Sequence, residues 1–286
     1  MVAFIHGGAW EGGDKGVFSP TDLARFAARG YATANINYRL ASVPLNVHDP
    51  ILSDDVTAAL DYVAVHGNEY HVASAKFAVV GHSNGAHLAL LAAYKYNSQR
   101  RIKAVASLSG PTNFVDPAFQ GVPSVQGILE RYLGVTFAAQ PAQRTGASPV
   151  SVATATSPPT ILLHGRLDAL VPYTQAEQLN ARLLALPVPT DYRLFPTSIH
   201  DLNYVALNHF GDDVWDPTLA WFATYLKLCP NIAAIASLPM QSKFLGTSIS
   251  PVRKPTRLGV AGASRAVTFT IGLPALAITN ESPLAA

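Results

Sequence analysis

Short apolar runs alternate with helical patterns over most of the chain. The runs at 2–5 and 77–80 show no polar alternation, which is typical of strands buried on both faces of a parallel sheet. Between such runs, apolar residues recur at helical spacing. The pattern predicts an α/β fold over residues 2–228, a mostly parallel sheet with helices on both faces. The predicted strands are 2–5, 31–37, 77–80, 102–108, 160–163 and 192–195, and the predicted helices are 20–29, 53–66, 84–96, 174–186 and 217–228.

Two segments interrupt this alternation. Residues 111–158 lie between predicted strands and are rich in Pro, Gly, Ser and Thr. They predict an insert over the carboxyl edge of the sheet, where open α/β sheets bind ligands. Residues 231–286 show no helix–strand rhythm, although 266–271 is patterned like a strand. We therefore expect one α/β domain over 1–230 and a C-terminal tail without a recognisable fold over 231–286.

Composition and charge exclude several classes of protein. With 49% hydrophobic and 13% charged residues, the chain is a compact globule and not a disordered one. No apolar run approaches the roughly 20 residues of a membrane helix, so no membrane span is expected. Beyond residue 230 there are five basic residues and one acidic residue, which leaves a net charge of −2 on the rest of a chain whose total is +2. Because phosphate contacts need clustered Lys and Arg, no nucleic-acid partner is expected.

The first residues show neither the positive segment nor the cleavage site of a signal peptide, so a cytoplasmic location is the default expectation. The single cysteine, Cys229, has no second cysteine in the chain with which to form a disulfide.

The strongest chemical signal is Gly81-His82-Ser83-Asn84-Gly85. It matches G-x-S-x-G and lies between a predicted strand and a predicted helix, which is the context that this motif requires. Such a turn holds the serine in a strained backbone conformation and presents its hydroxyl above the sheet. The motif predicts that Ser83 is a nucleophile. A chance match in a chain rich in Gly and Ser is the alternative, and the flanking strand and helix disfavour it.

A serine hydroxyl needs a base to take its proton. In this type of fold the acid and then the histidine follow the serine along the chain. Asp168 follows the strand at 160–163, and His200 follows the next strand, so the two side chains come from adjacent strand ends. They are the candidate acid and base. Asp201 is a rival acid, but its position directly beside His200 is poor for holding the ring from behind.

The segment His6-Gly7-Gly8-Ala9-Trp10 follows the first predicted strand. Acyl transfer passes through an oxyanion that backbone N–H groups stabilise, and glycines allow a close approach. We assign the N–H groups of Gly8, Ala9 and Asn84 to this oxyanion hole. A phosphate-binding loop is the alternative, but neither G-x-x-x-x-G-K-[ST] nor G-x-G-x-x-G occurs here.

Together these motifs resemble those of the α/β-hydrolase esterases. The resemblance is strongest to the group of hormone-sensitive-lipase-like carboxylesterases, feruloyl-esterase-like enzymes and kynurenine formamidases, and it covers about residues 2–228. It rests on His6-Gly-Gly-Ala-Trp10, Gly13-Asp-Lys15, Asn37-Tyr-Arg-Leu40, Gly81-His-Ser-Asn-Gly-Ala-His-Leu88, His164-Gly-Arg-Leu-Asp168 and Val171-Pro172.

The resemblance implies an α/β-hydrolase fold, a triad of Ser83, Asp168 and His200, and no cofactor. No metal is expected either, because H-E-x-x-H and C-x-x-C are absent and His82 and His87 do not share a helical face. Candidate substrate-binding residues are Trp10, Tyr38 and His82, although large aromatic residues such as Trp10 and Tyr38 are as often plain core.

Three features depart from the family pattern. Gly-Gly-Ala-Trp replaces the three glycines of the lipase-like branch, which favours the feruloyl-esterase and formamidase branches. The chain begins at what would be the third strand of the family, so the first two strands are lacking and 31–37 is expected to be an exposed edge. The tail after Leu228 matches nothing in the family.

Three hypotheses about function follow. The first is a serine carboxylesterase that hydrolyses short-chain or small soluble esters through an acyl-enzyme, with a small-molecule ester as its partner. The second is an arylformamidase that cleaves N-formylkynurenine with the same machinery. The third is a non-catalytic or truncated hydrolase fragment.

Overall fold

In the computed structural model, a twisted sheet runs through the centre of the molecule. The structure describes residues 1–70, 72, 76–136, 141–204 and 209–226, together with the backbone of 247–249 and 269–272. In this part of the chain the sheet has eight strands in the order β6-β5-β4-β3-β1-β2-β8-β7. The strands are β1 Val2–Ile5, β2 Thr33–Ile36, β3 Phe77–His82, β4 Ile102–Leu108, β5 Thr160–Gly165, β6 Thr190–Phe195, β7 Thr247–Ile249 and β8 Phe269–Gly272. The first six pair in parallel, which confirms the predicted α/β class.

Helices cover both faces of this sheet. They are α1 Pro20–Ala27, α2 Ile51–His66, α3 Asn84–Tyr94, α4 Pro117–Gln120, α5 Val125–Leu133, α6 Pro141–Gly146, α7 Pro149–Val152, α8 Thr174–Ala185 and α9 Asp212–Leu226, with short 3₁₀ turns at Lys15–Val17 and Gly67–Tyr70. Side chains of β1 alternate between two cores, as a strand buried on both faces requires. Ala3 and Ile5 face the core under α2, α3 and α8, whereas Val2 and Phe4 face the core under α1 and α9. Among the described residues, no helix has both the length and the apolar character needed to cross a membrane.

Two predicted helix starts need correction. The helix predicted from Ser53 begins at Ile51, and Ser53 is buried inside it, with its hydroxyl donating to Asp49 at 3.1 Å. The helix predicted from residue 217 begins at Asp212, so that Pro217 lies inside α9. In both cases the helix begins before the residue with the strongest start signal, because tertiary packing of the apolar face outweighs local capping preferences.

The expected exposed edge at 31–37 is wrong. β8 pairs antiparallel with β2, with Ala34 opposite Ile271 and Ile36 opposite Phe269, and β7 pairs in turn with β8. An unpaired strand edge offers a row of backbone donors and acceptors, and here a later segment of the same chain takes them. The remainder of the tail prediction for 231–286 lies outside the described residues.

One buried carboxylate joins the two helices on the α1 face. Asp22 accepts hydrogen bonds from the Ser19 N–H and hydroxyl at 2.9 and 2.7 Å within the N-terminal capping box of α1. Its other oxygen accepts the Phe210 N–H at 3.0 Å and the Trp215 indole N–H at 2.6 Å. A single side chain therefore caps α1 and ties it to the start of α9.

Substitution of Asp22 by alanine is expected to lower the free energy of unfolding by about 3 kcal/mol, because four donors lose their buried acceptor. Asp212→Ala is the matched control, since Asp212 is exposed and pairs with Arg25 only at the surface. That variant should lose less than about 1 kcal/mol. Urea unfolding of the three proteins measures the difference, and equal losses would contradict the anchoring role of Asp22.

Candidate active site

Ser83 lies at a sharp turn between β3 and α3. Its φ is +56°, a left-handed conformation that non-glycine residues rarely adopt, as the elbow motif predicts. The N–H of Ser83 donates to the Leu108 carbonyl at 2.8 Å, which fixes the turn to the neighbouring strand β4. Ser83 is only 8% exposed, so most of its side chain is shielded from bulk solvent.

Glycines on either side of the turn allow close backbone packing. A Cβ on Gly81 would collide with the carbonyl of Gly85, and a Cβ on Gly85 would collide with the carbonyls of Ile5 and His6. A Cβ on Gly7 would lie 3.2 Å from the Cβ of Ser83. The end of β1, the serine turn and the start of α3 are therefore packed more closely than any side chain permits.

The structure brings Ser83, His200 and Asp168 into one hydrogen-bonded row. The Nδ1 of His200 lies 2.7 Å from Oδ2 of Asp168, and the Nε2 lies 2.9 Å from the hydroxyl oxygen of Ser83. Because an ionised carboxylate only accepts, the proton of the neutral ring is on Nδ1. The lone pair of Nε2 then faces the Ser83 hydroxyl, which is the arrangement a general base requires.

Asp168 is held as an anion by several donors. Its Oδ1 accepts the N–H groups of Leu170 and Val171 at 2.9 and 2.8 Å. Burial alone would raise the pKa of Asp168, but the hydrogen bonds from His164, His200 and Val171 outweigh it and hold this pKa well below its usual range. The carboxylate therefore stays charged and can stabilise a protonated His200.

His164 contacts Asp168, and the sequence did not predict this contact. Its Nε2 lies 3.1 Å from Oδ2 of Asp168 and 2.8 Å from the Val171 carbonyl, and both of these groups accept. The sequence offered one signal, the His164-Gly165 pair four and three residues before Asp168. It could not show that the ring turns back onto the carboxylate.

His82 was a candidate substrate-binding residue, and the structure corrects that role. It does not line the cavity beside Ser83; instead its Nε2 donates to the backbone carbonyl of His200 at 3.1 Å. Burial, and to a smaller degree the neighbouring His200, lower the pKa of His82 to about 4, so the ring is neutral near pH 7. His82 therefore supports the loop that carries the base.

The loop after β1 turns sharply beside the serine. Gly8, Ala9 and Trp10 have φ values of +128°, +54° and +62°, and the Gly8 carbonyl accepts the N–H groups of Glu11 and Gly12. Within the described part of the chain, no acceptor takes the N–H groups of Gly8, Ala9 or Asn84. Ala9 and Asn84 line the same cavity as Ser83. Gly8 lies in the same loop but is not part of the cavity wall.

A small apolar cavity, partly open to solvent, adjoins Ser83. Trp10 forms part of its wall and stacks on Tyr132 with ring centres 4.5 Å apart. Tyr38, the third candidate for substrate binding, does not line the cavity. It is buried behind the wall and hydrogen-bonded to Asn84, which corrects its predicted role. The insert contributes several apolar residues to the wall. The lining residues are Ala9, Trp10, Ser83, Asn84, Pro111, Phe119, Val125, Ile128, Leu129, Leu170 and Val171.

A comparison with protein families identifies the family to which the chain belongs. The model of the BD-FAE family matches residues 1–183, which include the loop after β1, the serine turn and Asp168. The chain belongs to the BD-FAE family. This is a family of α/β-hydrolase esterases, in agreement with the resemblance in the motifs.

Relatives of this BD-FAE protein are esterases by name. It is 34% identical over 184 residues to "Probable carboxylic ester hydrolase LipM" of Mycobacterium tuberculosis, a match that covers 60% of this chain and 42% of LipM. It is 27% identical over 198 residues to "Esterase LipC" of the same organism, which covers 65% of this chain and 48% of LipC. The chain thus spans less than half the length of each of these two relatives.

A solved structure shares the fold. The structure of a thermophilic esterase from the Planctomycetes species Thermogutta terrifontis superposes with a TM-score of 0.66 at 20% sequence identity. The match covers 80% of this chain and 82% of the other. The BD-FAE chain therefore has the α/β-hydrolase fold.

Proposed function

We propose that the protein is a serine carboxylesterase that hydrolyses short-chain or small soluble carboxylic esters through an acyl-enzyme. One observation carries the proposal: His200 lies between the Ser83 hydroxyl at 2.9 Å and the Asp168 carboxylate at 2.7 Å. A serine, a base and an anion in this order form a nucleophile with its activating partners. Membership of the BD-FAE family and the names of the relatives support the same activity.

The proposed reaction has two steps. The Nε2 of His200 takes the Ser83 proton as Oγ attacks the ester carbonyl, and the N–H groups of Ala9, Asn84 and Gly8 stabilise the oxyanion. The protonated His200, stabilised by the charge on Asp168, then gives its proton to the leaving alcohol. Water repeats the sequence on the acyl-enzyme, which releases the acid and restores Ser83.

The cavity beside Ser83 is suited to binding a small acyl or alcohol group. Its wall is mostly apolar, with Leu129, Val125 and Phe119 from the insert and Trp10 from the loop after β1. Leu129 and Phe119 are buried, and Trp10 is held by its stack on Tyr132, so the wall is closely packed. A short acyl or alcohol group can bind against this apolar wall.

The proposal is tested with p-nitrophenyl acetate, butyrate and hexanoate and with N-formylkynurenine, using the wild type, Ser83→Ala and the control Ser151→Ala. Ser151 is exposed on α7 and is not part of the cavity wall. We expect ester hydrolysis by the wild type and the control and none above background by Ser83→Ala. Equal rates for all three proteins would refute the assignment. A large preference for the formamide would instead favour the arylformamidase that the His6–Trp10 segment suggests.

The same proteins are then treated with a fluorophosphonate and digested for mass spectrometry. Label on the peptide that contains Ser83 would be expected from the proposed mechanism. A soluble, monodisperse wild type without label would support a non-catalytic fragment.

Leu129→Ala is expected to shift the chain-length preference of this reaction. The truncation enlarges the apolar cavity, so the ratio of kcat/KM for hexanoate to that for acetate should rise about tenfold. Leu184→Ala removes an exposed leucine from α8 and serves as control, with no change in this ratio expected. Initial rates over the ester series measure both, and an unchanged ratio in Leu129→Ala would mean that the acyl group binds elsewhere.

A further inference from the structure

One buried hydroxyl connects two segments of the candidate site. Tyr38 is 5% exposed, its hydroxyl donates to the His6 carbonyl at 2.8 Å, and it accepts from the side-chain Nδ2 of Asn84 at 2.8 Å. Its ring also stacks on the His6 ring, with centres 4.3 Å apart and planes 12° from parallel. Tyr38 therefore contacts both segments at once without reaching the cavity.

The two segments carry the two halves of the proposed oxyanion hole. His6 leads directly into the loop of Gly8 and Ala9, and Asn84 is the first residue of α3. They come together only because Gly85 has no Cβ to collide with the His6 carbonyl. The Tyr38 hydroxyl bonds to the backbone of one half and to the side chain of the other, so it bridges them.

The chemistry of the hydroxyl suits this role. Burial raises the pKa of Tyr38 well above its usual value, and the hydrogen bond from Asn84 offsets only part of that rise. The hydroxyl therefore keeps its proton and can donate to the His6 carbonyl while it accepts from the amide. Both contacts are buried, so water does not compete for them.

We propose that Tyr38 is a positioning residue that holds the Gly8–Ala9 loop and the Asn84 backbone at the separation an oxyanion requires. This inference rests on the proposed esterase function. The N–H groups form their full hydrogen bonds only to the charged oxygen of the transition state. A small change in their separation should therefore lower kcat and leave KM nearly unchanged.

The first test is Tyr38→Phe, which keeps the ring stack and removes only the hydroxyl. We expect kcat for p-nitrophenyl butyrate to fall about tenfold with KM within about twofold of the wild type, since one donor lost outright costs 10² to 10³. Tyr94→Phe is the matched control: it also removes a buried hydroxyl, the partner of Thr160 at 2.7 Å, but at the far end of α3. That variant should retain the wild-type kcat. Thermal unfolding of both variants separates loss of fold from loss of alignment.

The second test is a double-mutant cycle with Asn84→Ala, which keeps the backbone N–H of residue 84. If Tyr38 acts through Asn84, the double variant should be no slower than the slower single variant. Multiplicative losses, an effect on KM alone, or an equal loss in Tyr94→Phe would overturn the inference.

The rate of fluorophosphonate labelling of Ser83 gives the same cycle a readout that does not need turnover. A wild type that hydrolyses or labels through Ser83, with Tyr38→Phe equal to it, overturns the inference and leaves the proposed function intact. A wild type in which neither hydrolysis nor labelling depends on Ser83 overturns both the inference and the proposed function.

Discussion

Asp168→Asn is expected to lower kcat for ester hydrolysis by about 10⁴-fold. The carboxylate accepts the Nδ1 proton of His200 at 2.7 Å and so keeps the Nε2 lone pair directed at Ser83. An amide in its place can donate as well as accept, which permits the other tautomer, with the proton on Nε2. A neutral ring with its proton on Nε2 cannot take the serine proton. The protonated ring would in addition lack the negative charge of residue 168 that stabilises it. Steady-state kinetics with p-nitrophenyl butyrate measure the loss.

Asp201→Asn is the control for this substitution. Asp201 directly follows His200, and one of its oxygens accepts the Asn203 N–H at 3.0 Å. We expect its kcat to equal that of the wild type. A large loss in Asp201→Asn together with a small one in Asp168→Asn would show that the sequence neighbour is the acid.

Gly85→Ala is expected to lower the free energy of unfolding by about 4 kcal/mol or more. The added Cβ would collide with the carbonyl oxygens of Ile5 and His6, which are backbone atoms at the end of β1 and cannot swing aside as a side chain could. To accept it, α3 must move away from β1, and that movement also separates Asn84 from the loop after β1. Chemical denaturation measures the loss, and the yield of soluble protein should fall with it.

Gly146→Ala is the matched glycine control. Gly146 ends the short helix α6, and no heavy atom lies within 4 Å of a Cβ built there. We expect its unfolding free energy to stay within about 1 kcal/mol of the wild type. Similar stability of the two glycine variants would contradict the account of close packing at the serine turn.

The sequence predicted the described strands and helices well where local and tertiary preferences agree. The apolar runs at 2–5 and 102–108 became β1 and β4 with the expected bounds. It failed at the start of α2, which was predicted at residue 53 and lies at Ile51, close to Asp55. Asp55 accepts from the Arg39 backbone N–H at 2.9 Å and pairs with the Arg39 guanidinium at 2.7 Å. A partner sixteen residues away leaves no local signal.

The candidate catalytic residues were accessible from the sequence because each follows a strand. The carboxyl ends of parallel strands share one edge of the sheet, so Ser83 after β3, Asp168 after β5 and His200 after β6 had to lie at that edge. The distances among them are consistent with that argument. Their catalytic roles stay predictions until the variants are measured.

The supporting residues were not accessible in the same way. Tyr38 and His82 were predicted to contact substrate, yet each turns toward backbone or side chains behind the site. The direction of a side chain depends on which groups surround it, and a strand or loop position alone does not determine that. The apolar wall from the insert depends in the same way on how α4 and α5 pack over the sheet.

The sequence by itself determined the class of fold, the edge of the sheet where the candidate site lies and the residue types that meet there. These follow from apolar periodicity and from glycines at turns, which are local properties of the chain. Only the tertiary structure decided that β8 covers the edge of β2, that His164 donates to Asp168 and that Tyr38 joins His6 to Asn84. Each of these contacts joins a donor to an acceptor across a turn or between distant segments, and the choice of partner depends on burial and distance in the folded protein.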